Sequence, residues 1–358
     1  MEINRIIAII DPSSYSLPYD YFYLIEVSKY YKIDFYYSRT KYNYEYIDKL
    51  RNNDNINLKE YNISSSVVNK GIGLLSYIKM LSEILLKKNR YNKIHFMWNL
   101  YLPVEQIFFK LYGDKFVFTF HNDVPHSFQG EIFEPYQKIN KLAQKKVFVS
   151  NFTKEKFISN YQNYRQYYLL NHGIMPIDGE NKTCYENKRM KDNTIYFWGR
   201  VEEYKGVDIF KDFLKNYSIK IYGKWNKELL SLKSDLLNRK NIELFDSYLP
   251  NADLVKLLNE DNIFILPYKD ATQSGVLYTL LAYEKVFISS DVGENSKFLK
   301  DNGFEKLIFN RENKQSIIEA FEFAKNNYED IKEKLSVIKN KYKWENIMTE
   351  DKLKELYE

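Results

Sequence analysis

The chain has 358 residues, 44% of them hydrophobic and 28% charged, a length that favours two domains and a composition that excludes disorder and collagen-like repeats. Its net charge of +5 is uneven: residues 1–172 hold 23 Lys and Arg against 16 Asp and Glu, and the remainder 30 against 32. No apolar run approaches the roughly 18 residues of a membrane span, Met1 to Ile10 carries no small-residue cleavage site, and the single cysteine, Cys184, excludes an internal disulfide and a Cys-rich zinc site.

Short runs rich in Ile, Val, Phe and Tyr alternate with longer stretches of helical periodicity, the pattern of an α/β protein with parallel sheets. In the first half strands are expected at Arg5 to Ile10, Ile33 to Tyr37, Lys93 to Met97, Phe116 to Phe120, Lys145 to Val149 and Tyr167 to Leu170. The clearest helix runs from Gly71 to Asn89, with Leu74, Leu75, Ile78, Leu81, Ile84 and Leu85 at spacings of three and four. The polar stretch between Asn171 and Asn193 reads as an interdomain linker. A second series follows: strands at Thr194 to Trp198, Ser218 to Tyr222, Ile242 to Phe245, Ile263 to Pro267, Val286 to Ser289 and Lys306 to Phe309. A long polar helix is expected from Lys314 to Lys343, then a helical end, Trp344 to Tyr357. The domains expected are thus 1–172, 173–343, and a C-terminal helix, 344–358, returning to the first. Two doubly wound domains put a ligand crevice at the carboxyl ends of their strands.

Two strand-to-loop junctions carry chemistry. Asp270-Ala271-Thr272-Gln273-Ser274-Gly275-Val276 follows a strand and opens a helix, so the free N–H groups of its first turn could receive a diphosphate. An ordinary Ser-capped helix start explains the same residues. Gly199-Arg200-Val201-Glu202-Glu203-Tyr204-Lys205-Gly206 also follows a strand and sets two cations five residues apart. Arg200 can fork onto phosphate oxygens while Lys205 supplies a compact charge. The competing reading is a solvated ion pair of Arg200 with Glu202 or Glu203.

These segments, "FWGRVEEYKGVDIF" and "LPYKDATQSGVLYTLLAYEKVFISSDVG", resemble glycosyltransferase family 4 (group 1), in particular its subset with an A-T-Q-S-G-V loop. In the first half "FTFHNDVPHS", "KKVFVSNFTKEKF" and "LLNHGI" fall in the expected order. The resemblance implies a GT-B fold of two Rossmann-like domains, the second holding a nucleotide-sugar donor and the first an acceptor. It also implies transfer with retention and without a metal, the leaving diphosphate being neutralised by protein groups. Gly199, Arg200, Lys205, Ser274 and Gly275 match donor-binding positions, with Arg200 and Lys205 stabilising the charge that develops on the leaving group.

The departures are specific. Where many members carry two glutamates eight positions apart, Ala271 and Thr279 stand, which leaves Gln273 and Asp270 as candidates for donor hydroxyls and Thr279 for a single bond to the ribose. Glu284 replaces the glycine of the usual Gly-Lys-Pro-Val turn, Glu294 replaces the second of a Gly-Gly pair, and Asp11-Pro12-Ser13-Ser14 occupies the place of a glycine-rich turn. Among the four histidines, the resemblance places His121, with Asn122, on the acceptor side, where it could act as base or hydrogen-bond partner or merely cap its loop. His121 and His126 match no zinc spacing, His95 suits a sheet interior, and His172 sits at the domain junction.

The expected function is a retaining hexosyltransferase acting from a UDP- or GDP-linked sugar onto a saccharide or lipid-linked saccharide in surface polysaccharide assembly, with no cofactor or metal. The base would rest on the loops around Tyr222 to Trp225 and Tyr248. The basic half, through Lys87, Lys88, Arg90, Lys138, Lys141, Lys145 and Lys146, could meet anionic lipid, so a cytoplasmic protein, peripheral on the inner face of the membrane, is expected. Nucleic acid lacks a recognition motif here. The missing glutamates favour an alternative, a non-catalytic sugar-nucleotide or glycan-binding protein, and an epimerase is a third possibility.

Overall fold

A computed structural model describes residues 5–14, 16–41, 44–63, 70–125, 128, 130–162, 166–177, 193–211, 216–271 and 274–358. The chain forms two compact units, Met1–Gly173 with Lys343–Glu358, and Ile174–Tyr342. Cys184, His126, Gln273 and most of the linker lie outside the described residues.

The first unit is built on seven strands: β1 Ile6–Asp11, β2 Lys32–Ser38, β3 Ile56–Tyr61, β4 Ile94–Phe96, β5 Phe116–Phe120, β6 Lys145–Phe148 and β7 Gln166–Leu169. All pairings are parallel, in the order β3-β2-β1-β4-β5-β6-β7. Crossover helices on both faces explain why the central strands are apolar throughout and not alternating. The high aromatic content fills this core: Phe109 stacks on Phe116 with centroids 4.1 Å apart, and Phe120 meets Phe157 at 4.5 Å. The sequence expectation lacks β3. It is an edge strand with only Ile56 buried, so no apolar run marks it.

The helix Lys70–Leu86 forms where periodicity placed it, with Leu81 and Ile84 of the expected stripe buried but the buried face turned away from Leu74 and Leu75. Tyr77, Met80, Leu81 and Ile84 are buried, whereas Leu74 is 39% and Leu75 69% exposed. The segment is apolar on most sides, so spacing alone admitted two stripes. The sheet chose the one bearing Tyr77, whose hydroxyl bonds Glu105. Lys145 and Lys146 also need correction as lipid-facing cations. Both lie in β6 and are buried, Lys145 donating to the Glu355 carbonyl and Lys146 standing 5.3 Å over the Tyr167 ring.

The C-terminal segment consists of two short helices, Trp344–Ile347 and Glu350–Tyr357. Trp344 packs on Tyr19 with centroids 5.2 Å apart, and any side chain on Gly173 would collide with its indole. The Tyr357 hydroxyl bonds Tyr23 at 2.7 Å and His95 Nδ1 at 2.8 Å, and His95 Nε2 meets Thr119 at 2.7 Å. His95 is thus a satisfied sheet residue, its pKa lowered to about 3 by burial.

The second unit has six parallel strands: β8 Thr194–Trp198, β9 Ser218–Tyr222, β10 Ile242–Phe245, β11 Ile263–Leu266, β12 Phe287–Ser290 and β13 Ile308–Phe309, in the order β10-β9-β8-β11-β12-β13. The long polar helix is divided at Asn327 into Lys314–Asn326 and Tyr328–Lys339. The turn after the helix Gly275–Ala282 takes the form a glycine would give it. Lys285 N–H donates to the Leu280 carbonyl at 2.9 Å and Glu284 N–H to Leu281 at 3.1 Å, with Glu284 in the left-handed region at φ 56°. Only partial compensation comes from the Glu284–Lys339 pair at 3.2 Å, which is part-exposed. Glu284→Gly is therefore expected to raise the stability of this unit by about 1 kcal/mol. Chemical denaturation checks it, and Glu284→Ala, which keeps the left-handed strain, should show no such gain.

Candidate active site

In the second unit the chain winds from β8 through β9 and β10 on one side, then returns through β11 to β12 and β13 on the other. The order reverses between β8 and β11, so their carboxyl ends leave a crevice. The turns that line it are packed backbone to backbone. Gly199 leaves β8 at φ 134°, and a side chain on Gly223, at the end of β9, would run into the Gly199 carbonyl. On its other side a Cβ at Gly199 would lie 3.4 Å from Val276, in the first turn of the helix Gly275–Ala282.

Arg200 is 42% exposed at the side chain and its guanidinium lies 3.7 Å from Glu202, so the ion pair anticipated as the competing reading exists. An exposed pair of this length contributes little to stability. Lys205 differs. It is buried, with Nζ 3.8 Å over the Tyr268 ring and 5.0 Å from that of Tyr204, and it forms no salt bridge with a described residue. Burial first, with the Arg200 charge adding to it and Glu202 opposing, lowers its pKa to about 7. Two cations near enough to repel one another, one of them desolvated, make a place where an arriving anion is stabilised.

Residues far apart in sequence fix this geometry. Arg311 donates to the Gly206 and Pro267 carbonyls and forks onto Asp208 at 3.2 and 3.3 Å. It ties the turn carrying Lys205 to the end of β11. Gly206 sits at φ 70°, and any side chain there would collide with Arg311 and the Pro267 carbonyl. Lys269 adds an ion pair to Asp208 at 3.4 Å, and its N–H donates to the Tyr204 carbonyl at 2.7 Å.

Ser274 is the N-cap of Gly275–Ala282, its hydroxyl accepting from Leu277 N–H at 3.5 Å and lying 3.4 Å from the Tyr268 hydroxyl. The ring beneath Lys205 thus also touches the helix start, which brings Gly199, Lys205, Ser274 and Gly275 to one end of the sheet. Asp270 is half-buried just before this loop, and Thr279 is buried in the second turn of the helix. Gln273 lies outside the described residues. The turn at Gly293 closes on the same loop: Glu294 N–H donates to the Ala271 carbonyl at 2.7 Å, and Gly293, at φ 55°, leaves room for that carbonyl. Beside it Asn295 is fully buried, and neither of its side-chain polar atoms is hydrogen-bonded to a described residue. Tyr268, Arg311, Asp208 and Asn295 were not singled out from the sequence. Only Tyr268 left a local signal, as the aromatic residue directly before Lys269-Asp270.

In the first unit His121 follows β5. It is buried, stacked on Trp98 with centroids 3.9 Å apart and edge-on to Tyr19 at 5.1 Å. Burial lowers its pKa to about 3, with the neighbouring His172 and His95 adding to the effect and a backbone hydrogen bond to Met97 opposing it. A pKa held this low favours the neutral imidazole, the form suited to hydrogen bonding. Asn122 is half-buried, and the following Asp123 pairs with Lys156 at 3.2 Å. His172 is buried, its Nδ1 2.7 Å from the Gly173 carbonyl. Among the described residues no group of three His, Cys, Asp or Glu could hold a metal ion, and no helix is long and apolar enough to cross a membrane.

Residues 181–344 match the family model of the glycosyl transferases group 1. No curated protein matches the chain by sequence. Among solved structures the fold is similar to sucrose-phosphate synthase from Thermosynechococcus elongatus, with a TM-score of 0.68 at 12% identity over 99% of this chain and 98% of that one. It is similar to Anabaena HepE, solved with UDP and glucose, at 0.69 and 13% over 97% and 98%. It also resembles WaaG, a glycosyltransferase involved in lipopolysaccharide biosynthesis, at 0.65 and 12% over 97% and 98%. At these identities the likeness establishes the fold, which is GT-B.

Proposed function

We propose that the chain is a glycosyltransferase of the group 1 type, taking a hexosyl group from a UDP- or GDP-linked donor to a saccharide or lipid-linked saccharide with retention and without a metal. The observation that carries this reading is Lys205: a buried ammonium on the Tyr268 ring, beside Arg200 and the start of the helix Gly275–Ala282, at the reversal point of the sheet. The second unit holds the donor, with its diphosphate between Arg200, Lys205 and the amides of Ser274 and Gly275. Asp270, Gln273 and Thr279 serve the sugar and ribose, and Tyr222, Trp225 and Tyr248 flank the base. The group 1 match of residues 181–344 and HepE's bound UDP and glucose support the donor class. The first unit takes the acceptor, with His121 and Asn122 as hydrogen-bonding groups. Thermal-shift screening of UDP-, GDP- and ADP-sugars tests the reading, since a ligand at 100 times its Kd stabilises by about 2.7 kcal/mol; no shift with any of them would refute it.

The depressed pKa of Lys205 gives a second check. A diphosphate raises that pKa again, so binding above pH 7 takes up a proton and UDP affinity falls by up to about tenfold per pH unit there. Titration calorimetry in two buffers of different ionisation heat would show the uptake. Affinity that is flat from pH 7 to 9 removes Lys205 as the partner of the diphosphate.

The pathway proposed is surface polysaccharide assembly at the inner face of the cell membrane. Support for a lipid surface comes from Ile72, Leu75 and Leu86, each more than half exposed on Lys70–Leu86, with Lys87, Lys88 and Arg90 directly after them. Cosedimentation with vesicles containing anionic lipid, lost on replacing Leu75 and Leu86 by Ser, is the expected result. The second reading, a binding protein without turnover, is favoured by Ala271 and Thr279 in place of glutamates. Slow release of nucleoside diphosphate without acceptor would exclude it.

A further inference from the structure

A carboxylate stands beside the two cations at the end of β8, and the chain holds it there. Glu202 follows Arg200 by two residues in extended backbone, at φ −114° and ψ 160°. One of its carboxyl oxygens accepts from Asn226 Nδ2 at 2.9 Å, and the other lies 3.7 Å from the Arg200 guanidinium. Asn226 is itself fixed. Its Oδ1 accepts from Glu228 N–H at 3.1 Å, which turns the amide's NH2 end toward Glu202. Its backbone N–H donates to the Val201 carbonyl at 3.0 Å, next to the bridge between buried Val201 and Trp225. The turn after β9 therefore places the carboxylate directly, and the carboxylate faces an arginine whose side chain is 42% exposed. The same negative charge reaches Lys205, whose pKa it pulls upward against burial and Arg200. An exposed ion pair of this length contributes little to the fold, so stability does not account for a glutamate anchored in this position.

We propose that Glu202 is a counter-charge built into the diphosphate site: it competes with a nucleoside diphosphate for Arg200 and, held by Asn226, keeps the diphosphate product from binding too tightly to leave. This rests on the donor reading above, which gives Arg200 and Lys205 to the diphosphate, and adds a residue that opposes binding. The anchor is what makes the opposition effective. A mobile glutamate would swing away from an arriving anion at little cost. One bonded to Asn226 stays close to it, and like charges set side by side weaken association. No bond is made or broken in this exchange; Arg200 changes partner. Glu202 is thus a positioning residue, acting on the diphosphate through Arg200 and Lys205. Glu203, the next residue, is 80% exposed at the side chain and lies 3.9 Å from Lys269, so it offers the same charge without the anchor.

Calorimetric titration of the full chain with UDP, GDP, uridine and guanosine tests this. Glu202→Gln keeps an oxygen for Asn226 and loses only the charge. It should bind the nucleoside diphosphate about fivefold or more tightly than the parent at low salt, and the gain should shrink as salt is raised. The nucleosides carry no phosphate and should gain nothing. Glu203→Gln, the same change of net charge one residue on, should shift diphosphate affinity by less than about twofold. In turnover, inhibition by the nucleoside diphosphate product should strengthen in Glu202→Gln by the factor seen in binding. Unchanged or weaker diphosphate binding by Glu202→Gln, an equal gain for the nucleosides, or an equal gain in Glu203→Gln would overturn the proposal and leave the donor reading standing. A parent chain that binds neither UDP nor GDP removes the donor reading, and this proposal with it.

Discussion

Replacing Lys205 with methionine is expected to lower sugar transfer by about 100-fold or more, the scale on which lost charge stabilisation acts, while leaving the protein at least as stable as before. The two effects have one cause. The ammonium is removed from water and rests on an aromatic face, an arrangement that only partly replaces its hydration. A methionine suits that pocket better but cannot meet a diphosphate. The pH dependence carries the same signature with a definite sign. The folded-state pKa is about 7 against an ordinary 10.5, so between these values the unfolded chain binds more protons than the folded one and stability rises with pH. The parent should gain stability over the methionine variant's trend between pH 7 and 9, read from melting temperatures. A methionine variant several kcal/mol less stable, with transfer intact, would make Lys205 a structural residue.

Arg311→Ala is expected to destabilise the second unit by about 2 to 3 kcal/mol and to weaken donor binding at a distance from the donor. The guanidinium is 15% exposed and joins the Gly206 carbonyl, the Pro267 carbonyl and Asp208. Its removal leaves two carbonyls without this donor and Asp208 with Lys269 alone, and frees the turn that sets Lys205 over Tyr268. Arg311→Lys keeps the charge but cannot fork to all three, so an intermediate loss is expected. Urea unfolding gives the stability term, and UDP affinity at matched folded fraction gives the positioning term. Unchanged affinity in a folded Arg311→Ala protein would show that the turn holds its shape without the clamp.

The parallel architecture is legible in the sequence because buried strands read as apolar runs wherever helices cover both faces. β3 escapes for the opposite reason, since at the sheet edge only Ile56 needs to be apolar. Lys145 and Lys146 read as surface cations because a strand that ends in an aromatic environment can hold a lysine stem that periodicity counts as exposed; Tyr167 and Tyr168 lie 5.3 and 5.5 Å from their ammonium groups. The junctions at Gly199 and Ser274 are visible because strand, turn and helix start follow one another directly. Arg311 and Asp208 are not, being brought together across more than a hundred residues by strand order alone. The low pKa of His121 and the raised pKa of Asp20 depend on burial, which local sequence does not record.

The central claim is that the second unit binds a nucleotide sugar by its diphosphate and releases that diphosphate on transfer. The most direct measurement is nucleoside diphosphate release from UDP- and GDP-sugars by the purified chain, with and without saccharide acceptors, beside Lys205→Met. Release by the parent, reduced about 100-fold or more in the variant, is the predicted result. Equal release by both proteins, or none from any donor with any acceptor, would contradict it.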